Sequence, residues 1–198
     1  MNRIGKVLAF AVTAFGLVTL RAEAVPLTIV NVAAPAINCV FNLSCTVGVT
    51  DSIGAFTPQG DSGAARLQSR TFSGVAPAPA AGDMSYMYRL DMTSVQSLAA
   101  GNCVTKLAVK FGRDVKLPYS AEGLYDVYVV TSGGLGSVGL SSAAQVGSTI
   151  TFTFAGPVCP GATSFFFGVA SQSTTPVAGV AKLRYSLGGS ATTADRVP

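Results

Sequence analysis

Histidine and tryptophan are absent from this sequence of 198 residues, and only 11% of its residues are charged. Without histidine the chain cannot build a Ser-His-Asp or Cys-His nucleophile system, a His-ligated zinc or iron site, or an imidazole pH switch. Without tryptophan, an aromatic platform for a ligand would have to consist of tyrosine or phenylalanine. These absences exclude the hydrolase and metalloenzyme classes that depend on imidazole.

No apolar run in the sequence reaches the ~20 residues that span a bilayer as a helix. The N-terminal run, residues 7–20, comprises 14 residues without charge and follows a basic start formed by Arg3 and Lys6. The small residues Ala22 and Ala24 occupy the −3 and −1 positions of a cleavage site, which completes a secretory signal peptide. We expect cleavage after Ala24 and export of the chain to the periplasm, the cell surface or the medium.

The exported chain would begin at Val25, and we expect residues 25–198 to form a single domain without a membrane span. Loss of residues 1–24 removes three basic side chains and one acidic side chain, so ten basic and eight acidic residues remain and the net charge is +2. The basic residues are scattered rather than gathered in a stripe with aromatic residues, so nucleic-acid binding is not expected. The densest basic group is interpreted as the solvated face of a strand and comprises Lys106, Lys110, Arg113 and Lys116.

The four cysteines all lie in the exported part of the chain. An even number of cysteines in an exported chain is typical of disulfides, whereas the CxxC spacing of zinc and redox sites is absent. Of the three possible connectivities we expect Cys39–Cys45 and Cys103–Cys159. The first pair is separated by a short turn, and the second joins the start of one predicted strand to the loop after another.

Alternation of apolar and polar residues predicts β-strands along most of the exported chain. The clearest example is residues 149–154, where isoleucine and phenylalanine alternate with threonine. Two runs are apolar on both faces, residues 125–130 and 165–170, and are predicted to be central strands covered on both sides. Further strands are predicted at residues 27–32, 64–72, 86–92, 103–111 and 181–187.

These strands are separated by turns rich in glycine, proline and serine, which favours an all-β fold. We expect a single-domain antiparallel two-sheet β-sandwich of about eight strands. Helix is predicted only in short pieces, near residues 94–100 and residues 141–145. No internal repeat and no long linker interrupts the chain.

Two motifs suggest ligand chemistry but have simpler interpretations. Residues 134–139 match GxGxxG, yet no acidic residue for a ribose follows at the required distance, so we expect a glycine-rich hairpin connection. Three acidic residues, Asp114, Glu122 and Asp126, are weak calcium candidates, but their spacing is not that of an EF-hand and basic residues lie among them. We therefore interpret them as solvated loop carboxylates with local ion pairs, and no catalytic residue, metal site or cofactor is predicted.

Three segments of the sequence are similar to segments of a known group of proteins. They are residues 67–72 (LQSRTF), 126–136 (DVYVVTSGGLG) and 164–171 (SFFFGVAS). Together they resemble segments of uncharacterised secreted bacterial β-proteins, some of which carry a C-terminal sorting anchor of the PEP-CTERM kind. This resemblance implies a secreted β-fold and no functional residue. The chain ends at Pro198 without such an anchor, so release rather than anchoring is expected.

The sequence favours a non-enzymatic exported protein that acts by surface or matrix interaction, in an envelope or extracellular structural or adhesive role. Its partner would be an envelope or matrix protein, a polysaccharide or a second copy of the chain. A carbohydrate- or small-ligand-binding module is an alternative, and a pilus-like subunit that donates residues 25–32 to a neighbour is a further one. The stacking residues available to a ligand module are Tyr86, Tyr88, Tyr119, Tyr125 and Tyr128. Consecutive phenylalanines at 165–167 are instead predicted to be core.

Overall fold

The computed structural model describes residues 22–97, 102–120, 123–173 and 175–198. Most of the predicted signal peptide, residues 1–21, lies outside the described residues. The described part forms one short helix, α1 (Ala36–Phe41), and sixteen strands. The strands are β1 (Val25–Leu27), β2 (Ile29–Ala33), β3 (Thr50–Phe56), β4 (Asp61–Ser62), β5 (Ala65–Ser73), β6 (Met84–Asp91), β7 (Gln96–Ser97), β8 (Val104–Lys110), β9 (Leu117–Ser120), β10 (Gly123–Tyr125), β11 (Val127–Ser132), β12 (Leu140–Val146), β13 (Thr149–Val158), β14 (Phe167–Ser171), β15 (Val177–Tyr185) and β16 (Ser190–Val197).

Twelve of the strands form two six-stranded sheets. Sheet 1 has the order β1-β12-β13-β8-β15-β16, and sheet 2 has the order β2-β11-β14-β6-β5-β3. The remaining strands form two small pairs, β9 with β10 and β4 with β7. The predicted all-β class is therefore confirmed, and two facing sheets are consistent with a β-sandwich.

The expected number of about eight strands is wrong, and so is the expectation of purely antiparallel pairing. Strand β2 runs parallel to β11 at one edge of sheet 2. Strands such as β3 and β16 are not predicted from the sequence, because they have few large apolar residues at alternate positions. Such strands are recognisable only from their pairing partners, which the local pattern does not contain.

The inner faces of the two sheets share the main hydrophobic core. Its largest members have no exposed surface and come from both sheets, for example Leu67 and Tyr88 from sheet 2 and Leu107 and Phe152 from sheet 1. The ring of Phe152 lies 5.0 Å from that of Phe167, measured between centroids. Phenylalanine rings from opposing sheets therefore meet at the centre of the molecule.

A second, smaller core covers the outer face of sheet 2. Helix α1 places Phe41 against Phe72, with ring centroids 4.9 Å apart, and Tyr119 packs on Tyr128 at 4.6 Å. All residues of β14 are consequently buried, as are the first four of β11. The prediction of two strands covered on both sides is confirmed.

The run of phenylalanines before and within β14 divides between the two cores. Phe166 belongs to the second core and Phe167 to the main one, because successive residues of an extended chain point to opposite faces. Phe165 is partly buried against the main core. The interpretation of this run as core rather than as an exposed stacking platform is confirmed.

The first predicted strand, residues 27–32, is divided between the two sheets. Strand β1 pairs with β12 in sheet 1, whereas β2 pairs with β11 in sheet 2, and the chain changes sheets at Thr28. The Asp126 carboxylate fixes this point, since its Oδ2 accepts hydrogen bonds from the Thr28 backbone N–H at 2.7 Å and from Oγ1 at 2.5 Å.

The predicted helices do not correspond to the observed one. Residues 141–145 lie within strand β12, and residues 96–97 form β7, whereas residues 98–100 lie outside the described part of the chain. Helix α1 was missed because its six residues are too few to show helical periodicity. Its apolar residues Ile37, Val40 and Phe41 nevertheless share one face, which packs into the second core.

The glycine-rich segment at residues 134–139 is not a hairpin, because it connects β11 of sheet 2 to β12 of sheet 1. Gly136 has a φ of 110°, and a Cβ at this position would collide with the carbonyl oxygen of Ser164. Glycine is therefore required for close packing of two backbone segments. The segment is followed by a strand rather than by the helix that a dinucleotide site needs.

The structure contains the disulfides Cys39–Cys45 and Cys103–Cys159, the pairing expected from the sequence. Cys103 immediately precedes β8 and Cys159 immediately follows β13, and these two strands are antiparallel neighbours. The second disulfide therefore joins two central strands of sheet 1 at one end. Two disulfides are typical of proteins in oxidising compartments.

Candidate functional site

The outer face of sheet 1 is open to solvent in the described part of the chain. Its strands turn alternate residues inward, such as Leu107, Phe152 and Leu183, and the residues between them outward. Among the described residues, no second core of the kind that covers sheet 2 lies against it. We call the outward residues in the middle of its three central strands the basic face: Thr149, Thr151, Thr153, Lys106, Ala108, Lys110, Val180, Lys182 and Arg184.

The register of the strands fixes which of these residues are neighbours. Lys106 lies between Thr153 and Arg184 on the adjacent strands. Two residues further along β8, Ala108 lies between Thr151 and Lys182. Adjacent strands are about 4.8 Å apart, and residues two apart on a strand are separated by about 6.8 Å. The basic face is therefore a compact and flat array of short side chains and cations.

All four cations of this face are exposed, and none of them takes part in an ion pair within the described residues. The strands of sheet 1 contain a single carboxylate, Asp195, and its side chain points inward. Lys106 and Arg184 are directly opposed like charges, an arrangement that destabilises a sheet. The face thus carries positive charge that nothing in the described structure neutralises.

Sequence reasoning found only part of this face. It grouped Lys106 and Lys110 with Arg113 and Lys116, but the last two lie beyond the end of β8 and line a cavity instead. The other half of the face, on β15, was missed because nothing local shows that β8 and β15 are neighbours. A clue was the alternation of cations with buried apolar residues in both segments.

The calcium candidates Asp114 and Asp126 lie together in an open cavity of about 1190 Å³ at one end of the sheets. Glu122, the third candidate, lies outside the described residues. Lys116 places its Nζ 3.1 Å from Asp126 Oδ2, the same oxygen that accepts the hydrogen bonds of Thr28. Within the described ranges, no group of three or more metal-ligating side chains is present.

The surroundings of this acidic pair shift the pKa values of its two members in opposite directions. Burial, together with the neighbouring Asp126, raises the pKa of Asp114. Burial also opposes the ionisation of Asp126, but the hydrogen bonds from Thr28 and the ion pair with Lys116 outweigh it and lower its pKa. Asp126 is 2% exposed, so its interpretation as a solvated loop carboxylate is wrong, and its ionised side chain holds the N-terminal segment in place.

The tyrosines proposed for ligand stacking are almost all inside the protein. Tyr86, Tyr88 and Tyr128 have no exposed surface, and Tyr119 is buried in the second core. Only Tyr125 is partly exposed. Four of the five residues that a ligand module would have had available for stacking therefore fill the cores and offer no stacking surface.

Asp195 is a charged residue enclosed within the structure. Its side chain points inward from β16, it is 2% exposed, and neither carboxylate oxygen has a hydrogen-bond partner among the described residues. Burial raises its pKa to about 6. The folded protein therefore keeps a proton on Asp195 at pH values where the unfolded chain, with an ordinary value of 3.8, has released it.

This difference in pKa between the folded and unfolded chain predicts that Asp195→Asn changes the free energy of unfolding in a pH-dependent way. Stability is lost as the pH rises from about 4 through about 6, because the folded state then has to ionise a buried group. The variant is expected to raise the free energy of unfolding by about 2 kcal/mol at pH 8 and to have little effect at pH 4. Urea unfolding at both pH values measures this. Asp51→Asn is the contrasting control, since Asp51 is paired with Arg70 at 2.8 Å and its loss should weaken the fold slightly at pH 8.

Comparison with known proteins finds no match among protein-family models, curated sequences or solved structures. Within the described residues, no helix has the length and apolar character needed to cross a membrane. The structural class is therefore stated from the fold of this chain itself. It is an all-β protein with two six-stranded sheets, two disulfides and an uncovered basic face.

Proposed function

We propose that this chain is an exported, non-enzymatic protein that acts by surface interaction in the cell envelope, the matrix or the medium. The basic face is its contact surface. The observation that carries the proposal is a set of four exposed cations without ion-pair partners, gathered on the open side of a six-stranded sheet. A like-charged pair such as Lys106 and Arg184 lowers stability, and binding an anionic partner would reverse this cost.

Export is supported by the two disulfides and by the signal-like composition of residues 1–24. The resemblance of three segments to secreted bacterial β-proteins agrees with it. Burial of four of the five tyrosines argues against the ligand-stacking alternative. The pairing of β1 and β2 with strands of their own chain argues against the donation of residues 25–32 to a neighbour.

The proposal predicts that the protein sediments with insoluble envelope and matrix material from the producing cells. Lys106→Gln combined with Arg184→Gln should weaken this association at least about tenfold, since two adjacent charges are lost from the contact surface. Added salt should weaken binding of the unaltered protein. The bound fraction after pelleting, measured over a range of protein concentrations, gives the apparent Kd.

The matched control is Arg66→Gln with Arg113→Gln. It removes the same charge from two exposed cations that lie outside the basic face and form no ion pair in the described structure. This variant should sediment like the unaltered protein. Equal binding by both double variants, or no sedimentation of the unaltered protein, would contradict the proposed function.

A further inference from the structure

We infer that the basic face binds a linear acidic polysaccharide that lies along the direction of the strands. This inference rests on the proposed function, because it names the ligand class of the same surface. It is carried by the order of the cations along the sheet, by the hydroxyl groups beside them and by the lack of carboxylates and aromatic rings among the described residues of the basic face.

The cations succeed one another along the strands rather than converging on one point. Lys106 and Arg184 form the first pair. Lys182 lies two residues further along, beside Ala108, and Lys110 lies two residues beyond Ala108 on β8. At about 3.4 Å per residue, the row extends for about 14 Å. A single small anion would contact one end of this row, whereas a linear polyanion can contact all four cations.

Hydroxyl groups lie in the next row of the same face. Thr149, Thr151 and Thr153 point outward from β13 and are paired in register with Lys110, Ala108 and Lys106. A threonine hydroxyl both donates and accepts hydrogen bonds, as sugar hydroxyls do. A polymer that carries acidic groups on one side and hydroxyls on the other therefore matches the two rows together.

Other polyanions fit the face less well. Single-stranded nucleic acid is held by aromatic side chains on which bases stack, and the basic face contains none. An anionic membrane favours a surface with several large apolar side chains that enter the lipid, whereas within the basic face only Val180, 65% exposed, is of this kind and the other uncharged residues are alanine and threonine. Charge and hydroxyl chemistry together therefore favour an acidic polysaccharide over both.

The inference is tested by isothermal titration calorimetry of the full exported protein with defined polymers. Polygalacturonate is expected to bind, and its carboxyl-reduced form and neutral dextran are not. Lys106→Gln with Arg184→Gln should raise the Kd for polygalacturonate about tenfold or more, while Arg66→Gln with Arg113→Gln should not change it. Affinity should rise with the length of short galacturonate oligomers until they span the row, and then level off.

A substitution that keeps the shape of the side chain distinguishes recognition of a polysaccharide from binding of polyanions in general. Thr151→Val keeps the β-branched side chain but loses the hydroxyl, so it should weaken polygalacturonate binding about fivefold and leave polyglutamate binding unchanged. Equal effects on both polymers would overturn the assignment to a polysaccharide. So would binding confined to phosphatidylglycerol vesicles or to single-stranded DNA.

The two levels of proposal fail in different ways. If matrix sedimentation depends on Lys106 and Arg184 but polygalacturonate does not bind, the face is the contact surface and the ligand class is wrong. If sedimentation is insensitive to these two residues, the proposed function itself is wrong, whatever the purified polymers do.

Discussion

Phe152→Ala is expected to lower the free energy of unfolding by about 3–5 kcal/mol. Phe152 has no exposed surface, and its ring packs against those of Tyr88 and Phe167 from the opposing sheet. Truncation therefore removes aromatic contacts across the centre of the main core and leaves a cavity that rigid β-strands cannot close. Equilibrium unfolding in urea, followed by circular dichroism, measures the loss.

The control for this substitution is the preceding residue on the same strand. Thr151 points to the outer face, so Thr151→Ala should cost less than about 1 kcal/mol although it lies only one position away. A loss of the same size at both positions would show that strand β13 is not oriented as described. A near-neutral Phe152→Ala would contradict the position of the main core.

Removal of the Cys103–Cys159 disulfide, by alanine at both positions, is expected to cost about 4 kcal/mol. The two cysteines are 56 residues apart, so the bridge strongly restricts the unfolded chain. The Cys39–Cys45 bridge closes a separation of only 6 residues, and its removal should cost about 2 kcal/mol. Denaturant midpoints of the two double-alanine variants give the comparison.

Each disulfide variant serves as the control for the other, because both remove two sulfur atoms and one cross-link. The order of the two losses is the decisive result. A larger loss on removing Cys39–Cys45 would mean that this bridge acts by holding the second core together rather than through chain entropy. Addition of a reductant to the unaltered protein should lower its midpoint by at least as much as removing Cys103–Cys159.

The fold was predictable where a strand shows a regular alternation of apolar and polar residues in its own sequence. Residues 149–154 alternate so regularly that both the strand and its buried face follow from the sequence, and Phe152 and Phe154 are buried as expected. Strand β16 carries no such signal, because its sequence is mostly alanine, threonine and charged residues. It forms because β15 provides eight paired residues beside it, and that pairing is a property of the whole sheet.

The candidate site was predictable only in part, for the same reason. Lys106 and Lys110 are separated by four positions on one strand, so their common face follows from the two-residue period. Their neighbours Lys182 and Arg184 are more than 70 positions away in the sequence, and only the register of β8 with β15 places them alongside. A functional surface on a sheet is assembled from separate strands, so it is visible in the sequence only as fragments.

The change of sheets at Thr28 has a consequence for the order in which the chain can fold as it is synthesised. Val25 pairs with Gln145, and Ile29 pairs with Val127, so the first strands made find their partners about 100 residues later. Contacts so distant along the chain form slowly, because a long loop must close first. Until β11 and β12 have emerged, the N-terminal strands therefore remain without their pairing partners, and a chain that crosses a membrane with this end first would not have to break these pairings.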